Sequence, residues 1–212
     1  FILITYLLIT TAKANNSTTT LKIIGSKERI AGFQLSNDKN KLLIKKLKSV
    51  NTIQLNLKEP MRVSALNTNF IEGKQPEYVM FYLDTGKHEI IVDIDKLTFS
   101  SNTSSINIVS NEVWKIKTHY DTLMDNSNRQ TYDSLYKAYH KALYNYHSKN
   151  LNSFLALGFV DFISNYFITT GITKEEVLKL YDSLGKNLHK YPTYSKVKQQ
   201  IEQNIRNYVA PY

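Results

Sequence analysis

Few side chains in this sequence can move protons or hold metal ions, and their spacing suits neither task. Five histidines, His88, His119, His140, His147 and His189, are the first candidates. Two ligands on one helix serve a single ion at a spacing of three or four residues. His140 and His147 are seven apart, about 10.5 Å along a helix axis at about 1.5 Å per residue, too far to share an ion directly. All five read as solvated or hydrogen-bonded surface histidines. Asp93 and Asp95 alternate onto one strand face, where two carboxylates could divide the acid and base roles of a hydrolase. With no second element to set opposite them, they read instead as a strand end or turn. Glu175 and Glu176 belong at a helix N-terminus, where negative charge offsets the dipole.

No G-x-S-x-G elbow, Walker-type phosphate loop or G-x-G-x-x-G stretch occurs. The chain has no cysteine, so a disulfide, a C-x-x-C redox pair, a thiolate metal site and a lipidated N-terminal cysteine are all outside its chemistry. No catalytic, cofactor-binding or metal-binding residue is assigned, and no cofactor is expected.

Binding is the better prospect. Tyr132, Tyr136, Tyr139 and Tyr146 recur along one face of a helix, and Trp114 is the single tryptophan among 212 residues. A row of Tyr offers flat faces with polar rims, the surface a peptide or sugar would use. The same spacing serves a core or domain interface, the reading favoured for the Tyr row, and Trp114 reads as an anchor between helix and sheet. The net charge of +9 invites nucleic acid, yet the basic residues are dispersed. In the densest run, 39–48, Lys alternates with Leu and Ile as on a solvated face. Nucleic-acid binding is not expected.

The elements that must carry these residues fall into two groups. From about residue 20 to 108 the pattern is of strands: 21–24, 30–33, an alternating 51–57 with Ile53, Leu55 and Leu57 inward, and 61–66. The runs 77–83 and 88–94 flank Asp84-Thr85-Gly86 and predict a hairpin, with Gly86 at positive φ. Beyond Ser105 the period becomes helical, with Ser110 or Asn111 as N-cap. Helices follow around 132–146 and 153–163, the latter closed by Gly171. Thr173 to Glu176 form a capping box, and a last helix follows Tyr191-Pro192. The fold class is α+β: an antiparallel β-sandwich-like domain over 15–108, then a bundle of four or five α-helices over 109–206.

The ends carry their own signals. Residues 1–14 are apolar and finish Ala12-Lys13-Ala14, the form of part of a cleaved signal peptide. The run is too short to span a bilayer, which takes roughly 20 apolar residues. Export to the periplasm or outside the cell is expected, without stable membrane insertion.

The order of motifs resembles a known family. Phe81-Tyr-Leu-Asp-Thr-Gly86 is followed by Ser110-Asn-Glu-Val-Trp114, then by the stretches 149–157 and 171–184. This is similar to the region that precedes the thioredoxin fold in TlpA-type, periplasmic thioredoxin-like disulfide oxidoreductases. Ala210-Pro211-Tyr212, within 207–212, resembles the linker that leads into that fold, without its usual Gly. The resemblance implies an accessory module, positioning or recruiting partners for disulfide exchange done elsewhere. Its partner would be a protein or a thioredoxin-like domain, and homo-oligomerisation stays open. The alternative is a stand-alone extracytoplasmic peptide- or glycan-binding module.

Overall fold

The computed structural model describes residues 15–37, 39, 41–69 and 76–206. The expectations for 1–14 and 207–212 lie outside the described residues. The rest is a mixed α+β fold in which strands precede helices.

Eight strands form two four-stranded sheets. One takes the order β4 (Val50–Leu57), β1 (Asn15–Ile24), β7 (Gly86–Asp93), β8 (Thr98–Ser100). The other runs β3 (Leu42–Ile44), β2 (Phe33–Asn37), β5 (Met61–Asn67), β6 (Tyr78–Leu83). Alternate residues of both sheets turn to a shared core. Leu21, Phe33, Leu35, Phe81, Leu83 and Ile90 are all fully buried there, as two inward faces of a sandwich require.

Four expectations for this half need correction. The strands 77–83 and 88–94 do not pair as a hairpin: β6 and β7 belong to different sheets. The connection at Asp84 and Thr85 carries the chain across the core, with Gly86 at φ +97°, and the Ser17 hydroxyl donates to the Asp84 carbonyl. A short turn with a positive-φ glycine fits a hairpin or a sheet crossing equally well locally. The distant partner of each strand decides. The crossing also makes the sandwich not purely antiparallel, because β7 arrives parallel to β1, Ser17 opposite Gly86 through Ile24 opposite Asp93. Third, β1 begins at Asn15 rather than at Leu21. Its threonines favour extended backbone, and eight residues of β1 pair with β4. Fourth, of the stretch read as a strand from Ile30 to Phe33, Ile30 and Ala31 end helix α1 (Lys27–Ala31), which the Ser26 hydroxyl caps, and β2 starts only at Phe33.

The helical half holds α2 (Ser105–Asp125), α3 (Arg129–His147), α4 (Phe154–Thr170), α5 (Lys174–Asp182) and α6 (Pro192–Gln200). A 3-10 turn (Lys186–Leu188) precedes α6, and a π-helical turn (Ile201–Arg206) continues it. Helix α2 starts earlier than expected: its N-cap is Ser104, and Ser110 and Asn111 lie inside it. The Thr173–Glu176 capping box forms reciprocally, and Gly171 closes α4 at φ +70°. Leu157, Val160, Ile163, Val177, Leu180 and Ile201 make a second core.

Side chains at the seam tie the halves together. The Glu59 carboxylate, in the β4–β5 turn, accepts from the Thr193 N–H at 3.1 Å and its hydroxyl at 2.8 Å. Helix α2 carries Asn107, whose amide bonds Tyr82 of β6, and one turn on Asn111, which donates to the Phe99 carbonyl of β8 at 3.2 Å.

Candidate functional site

A cleft of about 350 Å³ opens at this seam, within the size range of small-ligand sites. The sheet half contributes Pro60 and Asp84 from two strand connections. The helical half contributes the first turn of α2, the α3–α4 connection 149–153, Phe154, Asn187 and Tyr191.

Local bonding explains why the connection holds its shape. The Asn150 amide donates back to the Tyr146 carbonyl at 2.9 Å, and the Ser153 N–H donates to the Asn150 carbonyl at 3.0 Å. The loop is then clamped to the segment before α6. The Gly185 N–H donates to the Leu151 carbonyl and the Asn187 amide to the Asn152 carbonyl, both at 3.0 Å. A Cβ at Gly185 would lie 1.9 Å from Asn152 Oδ1; that close approach is why a glycine stands there. Phe154 and Tyr191 meet edge to face with centroids 5.1 Å apart, as aromatic pairs prefer.

The cleft's chemistry is that of contact. Amides, serine hydroxyls and the aromatic pair line it, with Lys149 and Asp84 as its charged groups. Burial, then the carboxylates Asp84 and Glu59, push the Tyr191 hydroxyl above its ordinary pKa, so it stays protonated and able to donate.

The expected binding residues lie outside the cleft: Tyr136 and Tyr139 both pack on His140, at 4.3 and 4.8 Å, and Trp114 stands apart from them. Trp114 is 44% exposed and overhangs a small apolar slot between β6 and β8; Lys117 Nζ sits 5.4 Å from the centre of its ring. Tyr139 packs on Tyr120 of α2 at 5.7 Å, and Tyr146 is half-buried, its pKa raised by burial and then by Glu112. Tyr132 and Tyr136 stack at 6.4 Å and continue through His140 to Phe162 and Tyr166 of α4. Trp114 and the Tyr row therefore form separate surfaces.

Two histidines contradict the surface reading. His140 and His147 are each only 3% exposed and stack on Phe162 and Phe159 at 5.4 and 4.8 Å. An amphipathic helix buries whatever sits on its inner stripe, and in α3 that stripe includes these two imidazoles. Burial lowers both pKa values, His147 to about 4, and its Nδ1 has no hydrogen-bond partner among the described residues. His88, by contrast, bridges the carbonyls of Thr85 and Thr103 at 2.6 and 3.0 Å.

Asp93 and Asp95 are engaged separately. Asp93 accepts from the N–H groups of Asp95 and Lys96, the latter holding its pKa down. Asp95 pairs with Arg29 at 3.0 Å. Among the described residues no cluster of three His, Cys, Asp or Glu is placed to hold a metal ion, and no helix is long and apolar enough to cross a membrane.

Sequence reasoning missed the cleft. Its members are scattered from Pro60 to Tyr191, and each is unremarkable where it stands. The one local signal is the density of Asn and Ser at 150–153 between two amphipathic helices. No protein-family profile, no curated protein and no solved structure matches this chain.

Proposed function

We propose that this chain is a recognition module: it holds a partner polypeptide and makes or breaks no bond of its own. The observation that carries the proposal is the seam cleft, preshaped by the bonds of the 149–153 loop and lined for contact. In the role suggested by the resemblance to TlpA-type N-terminal regions, the held chain is a thioredoxin-like domain or its client. Disulfide exchange is then done by that domain, since this sequence has no cysteine. Export to the periplasm is part of the same reading.

A photo-crosslinking residue in place of Phe154 tests it in the cell that makes the protein. A discrete adduct with a protein carrying a thioredoxin-like domain is expected, absent when the crosslinker replaces Val50 at the far sheet edge. Adducts of equal yield from both positions, or no polypeptide adduct from Phe154, would count against it.

A second reading, glycan binding, is favoured by the Phe154–Tyr191 pair set among amides, because sugars stack on rings and bond to amides. It predicts that a neutral oligosaccharide, and not a polypeptide, perturbs those residues.

A further inference from the structure

Helix α2 crosses the open side of the sandwich and treats the edge of β6 as a neighbouring strand would. The Asn107 side chain accepts from the Tyr82 N–H at 2.8 Å and donates to the Tyr82 carbonyl at 2.7 Å. Its carboxamide thus stands where a peptide group of the next strand would stand. Antiparallel pairing alternates: residues whose N–H and C=O face away from one neighbour recur every two positions. Tyr82 faces away from β5. In the register Ser64 opposite Met80 and Leu66 opposite Tyr78, Met80 and Tyr78 face away too. The bond from the Asn67 N–H to the Glu77 carbonyl at 2.9 Å agrees with that phase. Among the described residues no hydrogen bond to the outward groups of Tyr78 or Met80 is found, and α2 does not cap them as it caps Tyr82.

Beside this uncapped stretch lies the apolar slot, about 60 Å³, walled by Val79, Leu97, Phe99 and Trp114. Asn107, Asn111 and Trp114 form one stripe of α2: the first bonds β6, the second bonds β8, and the third overhangs the slot. The nearby charges cancel in pairs, Lys96 with Asp93, Lys115 with Glu112 and Lys117 with Asp121, so the surroundings ask for no charge on an occupant.

We infer that the edge of β6 at Tyr78 and Met80 takes an extended, uncharged peptide segment as an added strand, with one small apolar side chain of about valine size in the slot under Trp114. The occupant follows from continuity: it prolongs the interface that α2 already makes at Tyr82, replacing a side-chain amide by main-chain amides. Main-chain bonds supply affinity and the slot supplies selection, as in other strand-addition sites. The inference rests on the recognition-module reading and names how part of the partner chain is held.

The test uses the full chain and its single Trp. The probe is an acetylated, amidated heptapeptide alternating Thr and Val around a central Val, with two isomers N-methylated on alternate residues. The expected result is a saturable blue shift of Trp114 emission and slowed hydrogen exchange at the Tyr78 and Met80 amides. One methylated isomer, blocked on its pairing edge, should bind about tenfold or more weakly, and the other should bind like the parent. Equal binding by both isomers overturns strand addition. A response confined to Asn150, Phe154 and Tyr191 overturns this inference and leaves the recognition module standing. No response anywhere overturns the inference, and a silent cleft in the crosslinking experiment separately removes the wider reading.

Discussion

Asn107 and Tyr82 exchange two hydrogen bonds, side-chain amide to main chain, at 2.8 and 2.7 Å, and Asn107 is fully buried. Its amide also donates to the Ser104 hydroxyl at 3.0 Å. One residue therefore fixes the start of the longest helix against the edge of a sheet and blunts that edge against outside strands.

Replacing Asn107 with Ala removes both of its bonds to the half-buried main chain of Tyr82. Urea unfolding of N107A should show a loss of about 2–3 kcal/mol. Asn107→Asp keeps the acceptor but not the donor and should also destabilise. A loss below about 0.5 kcal/mol for both variants would mean the pairing contributes little.

His147 makes stability depend on pH. Its folded pKa of about 4 lies below the ordinary histidine value of about 6.5, so between these values the unfolded chain binds the extra proton. Stability should fall as pH drops from 6.5 towards 4, by about 3 kcal/mol in total from this group. His140, also lowered by burial, adds in the same direction. His147→Leu should flatten the difference in unfolding free energy between pH 7.5 and pH 4.5; an unchanged difference would show that His147 is not the group responsible.

Much of the helical half was legible because its signals are local. The Thr173–Glu176 box, the αL Gly171 and the proline opening α6 each act within one turn of chain. The sheets were only half legible. Strand β4 alternates, so its buried Ile53 and Leu57 could be read, but nothing between Leu83 and Gly86 tells a hairpin from a crossing. That choice is made by Ser17 and the rest of β1, far away in sequence. The polar 15–20 segment hid a strand because buried Ser17 and Thr19 carry no apolar signal. Trp114 stood out as the single Trp, while Phe154, Asn187 and Tyr191 acquire meaning only once the halves meet.

Glu59 should couple the halves. Glu59→Ala removes both bonds to Thr193, the first of them at the start of α6. A loss of about 1–2 kcal/mol is expected. Tryptophan fluorescence and far-ultraviolet dichroism, coincident in the parent, should report less coincident transitions in E59A. Coincident, unshifted curves would mean the halves are held by other contacts.

Gly185 keeps the cleft open. Gly185→Ala puts a Cβ 1.9 Å from Asn152 Oδ1 and 2.5 Å from Asn187 Oδ1, so both amides must move out of the cleft wall. The side-chain amide resonances of Asn152 and Asn187 should shift, with a stability loss of about 1–2 kcal/mol. Unmoved resonances would show that the loop yields elsewhere.

The central claim is that the seam cleft receives a polypeptide. The most direct measurement is an amide-resonance titration of the labelled full chain, with an unfolded, cysteine-alkylated polypeptide in one series and a neutral oligosaccharide in the other. The account predicts saturable shifts at Asn150, Asn152, Phe154, Asn187 and Tyr191 with the polypeptide and none with the oligosaccharide. Shifts at those residues with the oligosaccharide alone, or with neither, would contradict it.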